Sequence, residues 1–541
     1  MSEIQRRVAI IGAGIAGLTQ AIALKTKLGF CNFTIYEKGP EVGGVWRANT
    51  YPGCSSDVEI HFYSLSSDLY PYWNQSHGLQ SDIQAYWIKL SKKYDLYPHI
   101  AFNTKVLSAE WDDAKQQYTI VAEDIFSGKR SSSVAHIVIS AVGILDTPNI
   151  PHEVPGVRKF QGVSFHSAQW PGSIDLQNKR IAVIGNASSG VQFVPSISED
   201  PSIEVVNFIR TPTWLNTRPR ISYSDTAKWT FANIPLVMRL HRAWIMLGYL
   251  APRLPMGDKT LQKQRDAMTK YILDNTPSRY HGHMIPDYPP GCKRTVADSG
   301  FLKSLHRSNV TLNFDGIAEI VEDGIITKTG ERLPFDVIVY ATGFTGERYP
   351  MHVRGLNGVT VQGYYDAHGG PTAYIGTTIP DIPNFYLLAG PNTGARATST
   401  FITEAQVAYI LQLIEPVLTG SASSFIVKAT PTDTYNAKLQ EHLSRSVYAH
   451  CSSWVRTNGS GKLFYPFPWH GTVLWWLLRR PNWDHYTAVS AEKWVWARRR
   501  RAVKNILKCA AVLTLLGSYI SGSAQRILYD MCDYCDLQLL E

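Results

Sequence analysis

Cysteine is scarce in this chain: seven among 541 residues, scattered without a repeating framework. That argues for a reducing compartment rather than a disulfide scaffold. Cys532 and Cys535 have the spacing of a redox pair, but they stand alone near the end of the chain and read as incidental. Charge is moderate, at 18% against 44% hydrophobic residues, which excludes a disordered chain. No secretory leader is legible, because the first apolar run begins at Val8 and Gly12, Gly14 and Gly17 turn it into a strand and a tight turn. No metal-ligand cluster or nucleophilic triad stands out, so no metal is expected. The net charge of +9 is not a property of the whole chain. Between Arg479 and Lys508 nine Lys/Arg face two acids, a local charge of +7, and the body is close to neutral. A basic terminal segment fits lipid headgroups better than nucleic acid. The length, at about 150 residues per domain, predicts three or four compact units.

What is present begins at residues 8–37. The strand VAIIG runs into Gly12-Ala13-Gly14-Ile15-Ala16-Gly17 and then a helix, LTQAIALKTKLG. Gly12 permits the tight turn, Gly14 lets a pyrophosphate approach the backbone, and Gly17 allows close helix–strand packing. The helix start offers free N–H groups and its positive dipole end to phosphate. The next strand, FTIYE, ends at Glu37, whose carboxylate suits ribose hydroxyls and repels a 2′-phosphate.

A second unit, RIAVIGNASSGVQFV, starts at Arg180. Gly185 and Gly190 are in place, but Ala187 stands where the middle glycine belongs, which requires a negative φ there. Ser188 and Ser189 add hydroxyl donors. The strand that follows ends in Arg210-Thr211, and arginine at that point accommodates a 2′-phosphate. Glu37 against Arg210 assigns FAD to the first unit and NADPH to the second.

Just before the second unit lies FQGVSFHSAQWP, with Phe160, Gly162, His166, Trp170 and Pro171 at the spacing F-x-G-x-x-x-H-x-x-x-W-P. Read as a linker, it has two aromatic anchors and a histidine able to exchange hydrogen-bond partners. The spacing resembles the fingerprint of the Baeyer–Villiger monooxygenases, which are FAD- and NADPH-dependent. Residues 41–66, EVGGVWRANTYPGCSSDVEIHFYSLS, are similar to the fungal branch of that family. The resemblance runs from about residue 6 to 486 with its motifs in order. It implies that Gly44 and Trp46 border the flavin, that Asp57 is an active-site aspartate and Tyr63 a flavin-side contact, and that Val106, Gly390 and Asn392 are cofactor neighbours. It also implies that, in PDYPPGCKR, Arg294 reaches the flavin while Lys293 helps to hold the NADPH phosphate. A fixed guanidinium there would stabilise a flavin peroxide anion until a carbonyl arrives, with Asp57 orienting it. Read without the resemblance, Asp57 is a loop-capping carboxylate.

The fold class expected is α/β, with two Rossmann-like dinucleotide-binding domains, a helical insertion and a C-terminal hydrophobic tail. The first FAD part takes residues 1–150, including a small antiparallel sheet after residue 100, and the NADPH domain takes 151–221 and 286–330. Residues 222–285 read as helices, either a subdomain over the active site, as the resemblance implies, or a surface bundle. Residues 331–486 return to the FAD domain, starting with FDVIVYATGF. Residues 487–541 form a basic tail, in which the seventeen uncharged residues 509–525 reach roughly 26 Å as helix against a hydrocarbon core of about 30 Å. They read as an anchor to an intracellular membrane, with the catalytic body cytoplasmic, or as an amphipathic helix on the body. The expected reaction inserts one atom of O2 beside a ketone carbonyl, giving an ester or lactone, in secondary-metabolite biosynthesis. Oxygenation of nitrogen or sulfur, and a catalytically silent membrane-tethered nucleotide-binding protein, are the alternatives. A flavin disulfide reductase would need a redox cysteine pair beside the flavin, and neither dinucleotide unit contains one.

Overall fold

In the computed structural model, residues 6–217, 219–250 and 258–501 are described, together with 503, 504, 506–508, 510–514 and 519. The chain starts with β1 (Val8–Ile11), α1 (Ile15–Leu28) and β2 (Phe33–Tyr36), followed by the short α2 (Ile60–Tyr63) and α3 (Gln80–Lys93). Next come β3 (Ile100–Ala101), β4 (Thr104–Asp112), β5 (Gln117–Asp124), β6 (Arg130–Ala135) and β7 (Ile137–Ser140). The second half contains β8 (Val163–His166), β9 (Arg180–Ile184), α4 (Ser188–Ile197) and β10 (Glu204–Phe208). Helices α5 (Asp225–Asn233), α6 (Val237–Leu250) and α7 (Asp258–Asn275) follow, then β11 (Val310–Asn313), β12 (Val337–Tyr340), β13 (Phe385–Leu387) and α8 (Ser399–Leu418).

Two five-stranded parallel sheets result, ordered β13-β7-β1-β2-β3 and β11-β10-β9-β12-β8. β1, β7 and β12 are apolar apart from Ser140 and the Tyr340 hydroxyl, and every residue in them is buried, as a strand covered on both faces requires. The sheet expected after residue 100 is there, β4–β5–β6 pairing antiparallel.

The two halves repeat one geometry. Gly12 N donates to Tyr36 O and Ala141 N to Ile11 O in the first; Gly185 N donates to Phe208 O and Ala341 N to Ile184 O in the second. β12 therefore stands to β9 as β7 stands to β1. This corrects the boundary at residue 331: FDVIVYATGF completes the second sheet, and the first sheet is rejoined at β13. The actual connections are the segments after β7 and after β12, which pair with each other antiparallel at Thr147–Pro148 and Phe344–Thr345. FQGVSFHSAQWP is not a free linker, since its middle forms β8, an edge strand of the second sheet.

The chain divides into one compact unit of Met1–Glu415 with Phe425–Thr487, and another of Pro416–Ser424 with Ala488–Glu541. In the second, the described residues from 492 to 514 are helical, and Trp496, Ile506, Leu507 and Leu513 are exposed. Most of the expected anchor 509–525, and both Cys532 and Cys535, lie outside the described residues. Among those described, only α8 is long and apolar enough to cross a membrane, and 67% of its most apolar window is buried in the protein.

Candidate active site

Each glycine turn is fitted by the end of the third strand of its own sheet. A Cβ on Gly12 would lie 2.6 Å from Ala141 O, and one on Gly185 2.5 Å from Ala341 O. A Cβ on Gly17 would meet Gly12 O at 1.9 Å, and one on Gly190 would meet Gly185 O at 2.7 Å, so both helices press against their own turns. Gly14 differs. Its φ is −77°, and an added Cβ would meet only Gly44, at 3.5 Å. The protein itself leaves room for a side chain there, so glycine fits a demand from outside the chain, the close approach of a pyrophosphate. α1 has no side-chain cap, which leaves its first N–H groups for such a ligand. At the equivalent place in the second unit Ala187 has φ −86°, the negative value it needs, and Ser188 opens α4.

Glu37 is buried at the end of β2, and its two oxygens accept from Ala13 N and Gly39 N, both at 2.7 Å. The carboxylate thus fixes the glycine turn. Gly44, with φ 57°, caps a short helix that carries Trp46, whose indole N–H donates to the Tyr63 hydroxyl at 3.0 Å. Tyr63 ends α2, and burial raises its pKa, with Asp57 and Arg294 as charged neighbours.

Asp57 and Arg294, 237 residues apart, form an ion pair, Arg294 Nη2 donating to Asp57 Oδ2. The carboxylate holds the guanidinium above its ordinary range, against desolvation. Arg294 keeps 53% of its side-chain surface accessible, so the paired guanidinium remains open to solvent. One residue earlier, the Lys293 ammonium sits 4.6 Å above the Tyr288 ring, and burial and then Arg210 push its pKa down. Arg210 and Lys293 meet because the segments that follow them pair in parallel, Leu215 with Val296 and Thr217 with Asp298. Trp214 also donates to Tyr288 O at 2.8 Å. Thr211 follows Arg210 on the same turn and is partly exposed.

His166 is buried, accepts from Ala168 N at 3.1 Å and faces Phe344 edge-on at 5.5 Å, and burial lowers its pKa. It thus touches the returning connection from inside the second half. Trp170 packs on Phe165 and Phe193, while Phe160 folds back over Gly162. Gly390 lies against Gly376, where a Cβ would meet Gly376 O at 2.3 Å. The Asn392 amide donates to Leu463 O and Pro466 O, which brings the 463–466 loop to this turn. Val106 is buried in the core beside Ala9 and Ile11.

Three features escaped the sequence. Cys292, directly before Lys293, is joined to Cys451 by a disulfide, a single cross-link rather than a scaffold. The only signal is its place inside PPGCKR. Arg220 donates to Ser55 Oγ at 2.6 Å, two residues from Asp57. Tyr51 and Ser55 both bond the Gln192 side chain, locking the loop before Asp57 to α4 of the other half.

Comparison with known proteins agrees with this geometry. Residues 5–224 match the FMO-like family, described as flavin-binding monooxygenase-like. A Baeyer–Villiger monooxygenase of Pseudomonas aeruginosa is 34% identical over 86% of this chain and 89% of its own length. The FAD-binding monooxygenase ktnD of Aspergillus niger is 32% identical over 83% of this chain and 76% of its own. An oxidised steroid monooxygenase bound to NADP superposes with TM-score 0.77 at 26% identity, covering 89% of this chain and 99% of that one. Closed cyclohexanone monooxygenase gives TM-score 0.79 at 21% identity over 90% of this chain and 100% of that one, a likeness of fold. With its two glycine turns, and with relatives of this similarity over most of its length, the chain belongs to the Baeyer–Villiger monooxygenases, flavoprotein oxidoreductases that use FAD and NADPH.

Proposed function

We propose that this enzyme inserts one atom of O2 next to the carbonyl of a small-molecule ketone, giving an ester or lactone, in the biosynthesis of a secondary metabolite. The observation that carries the reading is the turn Cys292–Arg294, where consecutive cations have different neighbours: Lys293 feels the charge of Arg210, and Arg294 is paired with Asp57 near Tyr63. Bound FAD supplies oxygen activation and NADPH the reducing equivalents. Gly12, Gly14, Gly17, Glu37 and Gly44 hold the FAD, with Trp46 and Tyr63 at its ring end. Gly185, Ser188, Ser189 and Gly190 cradle the NADPH diphosphate, and Arg210, Thr211 and Lys293 take its 2′-phosphate. Arg294 stays charged at any working pH and presents fixed positive charge where negative charge develops on oxygen. Asp57 keeps it aimed. The body acts in the cytoplasm.

The test is Arg294→Ala. The variant should keep the yellow FAD absorbance and its reduction by NADPH, and lose labelled-oxygen incorporation into a panel of cyclic and polyketide ketones, read by mass spectrometry. Oxygenation at the wild-type rate would remove Arg294 from the mechanism.

A further inference from the structure

Helix α6 has two faces. Its inner face packs on α2, the helix that ends in Tyr63: His241 lies 5.0 Å from the His61 ring and Arg242 5.5 Å from the Phe62 ring, and Tyr249 bonds Glu59. Its outer face carries Leu240, Trp244 and Leu247, which are 67%, 76% and 59% exposed. Offsets of four and three residues put them in one stripe. Leu236, 66% exposed, extends the stripe by one turn, and Trp229 on α5 stands exposed beside this hairpin at 59%.

A soluble surface scatters its apolar residues, whereas a contiguous stripe marks a contact. Leu236 strengthens the case. Its φ of 68° lies in the left-handed region, which strains a bulky residue, and its exposed side chain recovers little from the chain itself. Charge selects the occupant. On the outer side of the hairpin Arg239 is the exposed cation, since Arg242 turns inward to Glu404 and Lys228 stands beside Asp225. Beside Ile234 and Leu236, the groove between α3 and this hairpin is lined by Lys89 and Arg239, and by Lys93 in an ion pair with Asp68. Exposed tryptophans beside cations suit a boundary between acyl chains and anionic headgroups.

We propose that the outer face of α5–α6 docks on an anionic lipid surface, with Trp229, Leu236, Leu240, Trp244 and Leu247 in the acyl boundary and the Lys89–Lys93–Arg239 groove on headgroup phosphates. The contact is independent of the basic C-terminal segment, and it puts lipid on the far side of the helix that covers α2.

Hydrogen–deuterium exchange of the full-length holoenzyme, with and without vesicles of phosphatidylcholine and phosphatidylserine, tests this. Peptides across 237–250 should gain protection on anionic vesicles and not on phosphatidylcholine alone. Leu240→Glu/Trp244→Glu should lower vesicle partitioning about tenfold or more, given two large side chains removed from the contact, and leave NADPH oxidation with a water-soluble ketone unchanged. The exchange measurement on the wild type stands even if that variant folds poorly. Three results would overturn the proposal. The chain could bind vesicles with 237–250 unprotected, as attachment through the tail alone would give. It could show no vesicle binding. Or 237–250 could be protected without lipid, in proportion to protein concentration, which would make a second copy the occupant.

Discussion

Arg210 offers the sharpest test of how this protein chooses its reductant. It is exposed at the end of β10, and Lys293, partly buried on the facing turn, feels its charge. Without a dinucleotide the two cations oppose each other, one reason the lysine's pKa lies below its ordinary value. A 2′-phosphate carries close to two negative charges. A unit charge pair at about 4 Å is worth about 1 kcal/mol in water and about 4 kcal/mol at an effective dielectric constant near 20. An exposed arginine belongs toward the lower figure, so Arg210→Ala should cost about 1.5–3 kcal/mol of NADPH binding, roughly 10–100-fold in KM. NADH lacks the 2′-phosphate and should change by no more than about twofold. The double variant Arg210→Ala/Lys293→Ala should lose less than the two single losses together, because each single removal also relieves the repulsion between the cations. Stopped-flow reduction of the bound flavin by NADPH and by NADH, at low and high salt, measures all of this. Equal losses for NADPH and NADH would refute the assignment, because the effect would then lie in the fold of the turn and not in a phosphate.

Cys451→Ser should lower unfolding stability by about 2–4 kcal/mol, since the cross-link closes a separation of 159 residues. Wild-type protein treated with a dithiol should reproduce the shift in urea, and identical midpoints with and without reductant would show that the bond does not form. Lys462 is largely buried, its pKa pushed down to about 8, and its ammonium donates to His368 O at 3.1 Å and to Thr372. A lysine whose folded pKa lies below its unfolded value makes the folded chain bind fewer protons, so its penalty is full below about pH 8 and disappears toward pH 10.5. Lys462→Met should therefore be the more stable protein at pH 7 by about 1–2 kcal/mol, after the lost hydrogen bonds are subtracted. The gap should close by pH 10.5 in parallel urea titrations, and a gap independent of pH would contradict the account.

What the sequence disclosed and what it concealed divide along one physical line. The glycine turns, Glu37 and Arg210 could be read because each needs only its neighbours: a φ, a close approach, the end of a strand. The Asp57–Arg294 pair spans 237 residues and was found only because each residue sits in its own recognisable motif. Sheet membership has no such local signature. The strand ends at Ala141–Gly143 and Ala341–Gly343 share the pattern Ala-x-Gly after a fully buried strand, so either would fit either sheet as text. Packing makes the choice. The turn at Gly185 needs a backbone carbonyl about 2.5 Å from where its Cβ would be, and Ala341 supplies it as Ala141 does at Gly12. The second half must therefore keep its own third strand, which moves the crossing between halves to the paired segments at Thr147–Pro148 and Phe344–Thr345. His166, buried against Phe344 and Gly343, then acts on that crossing from one side.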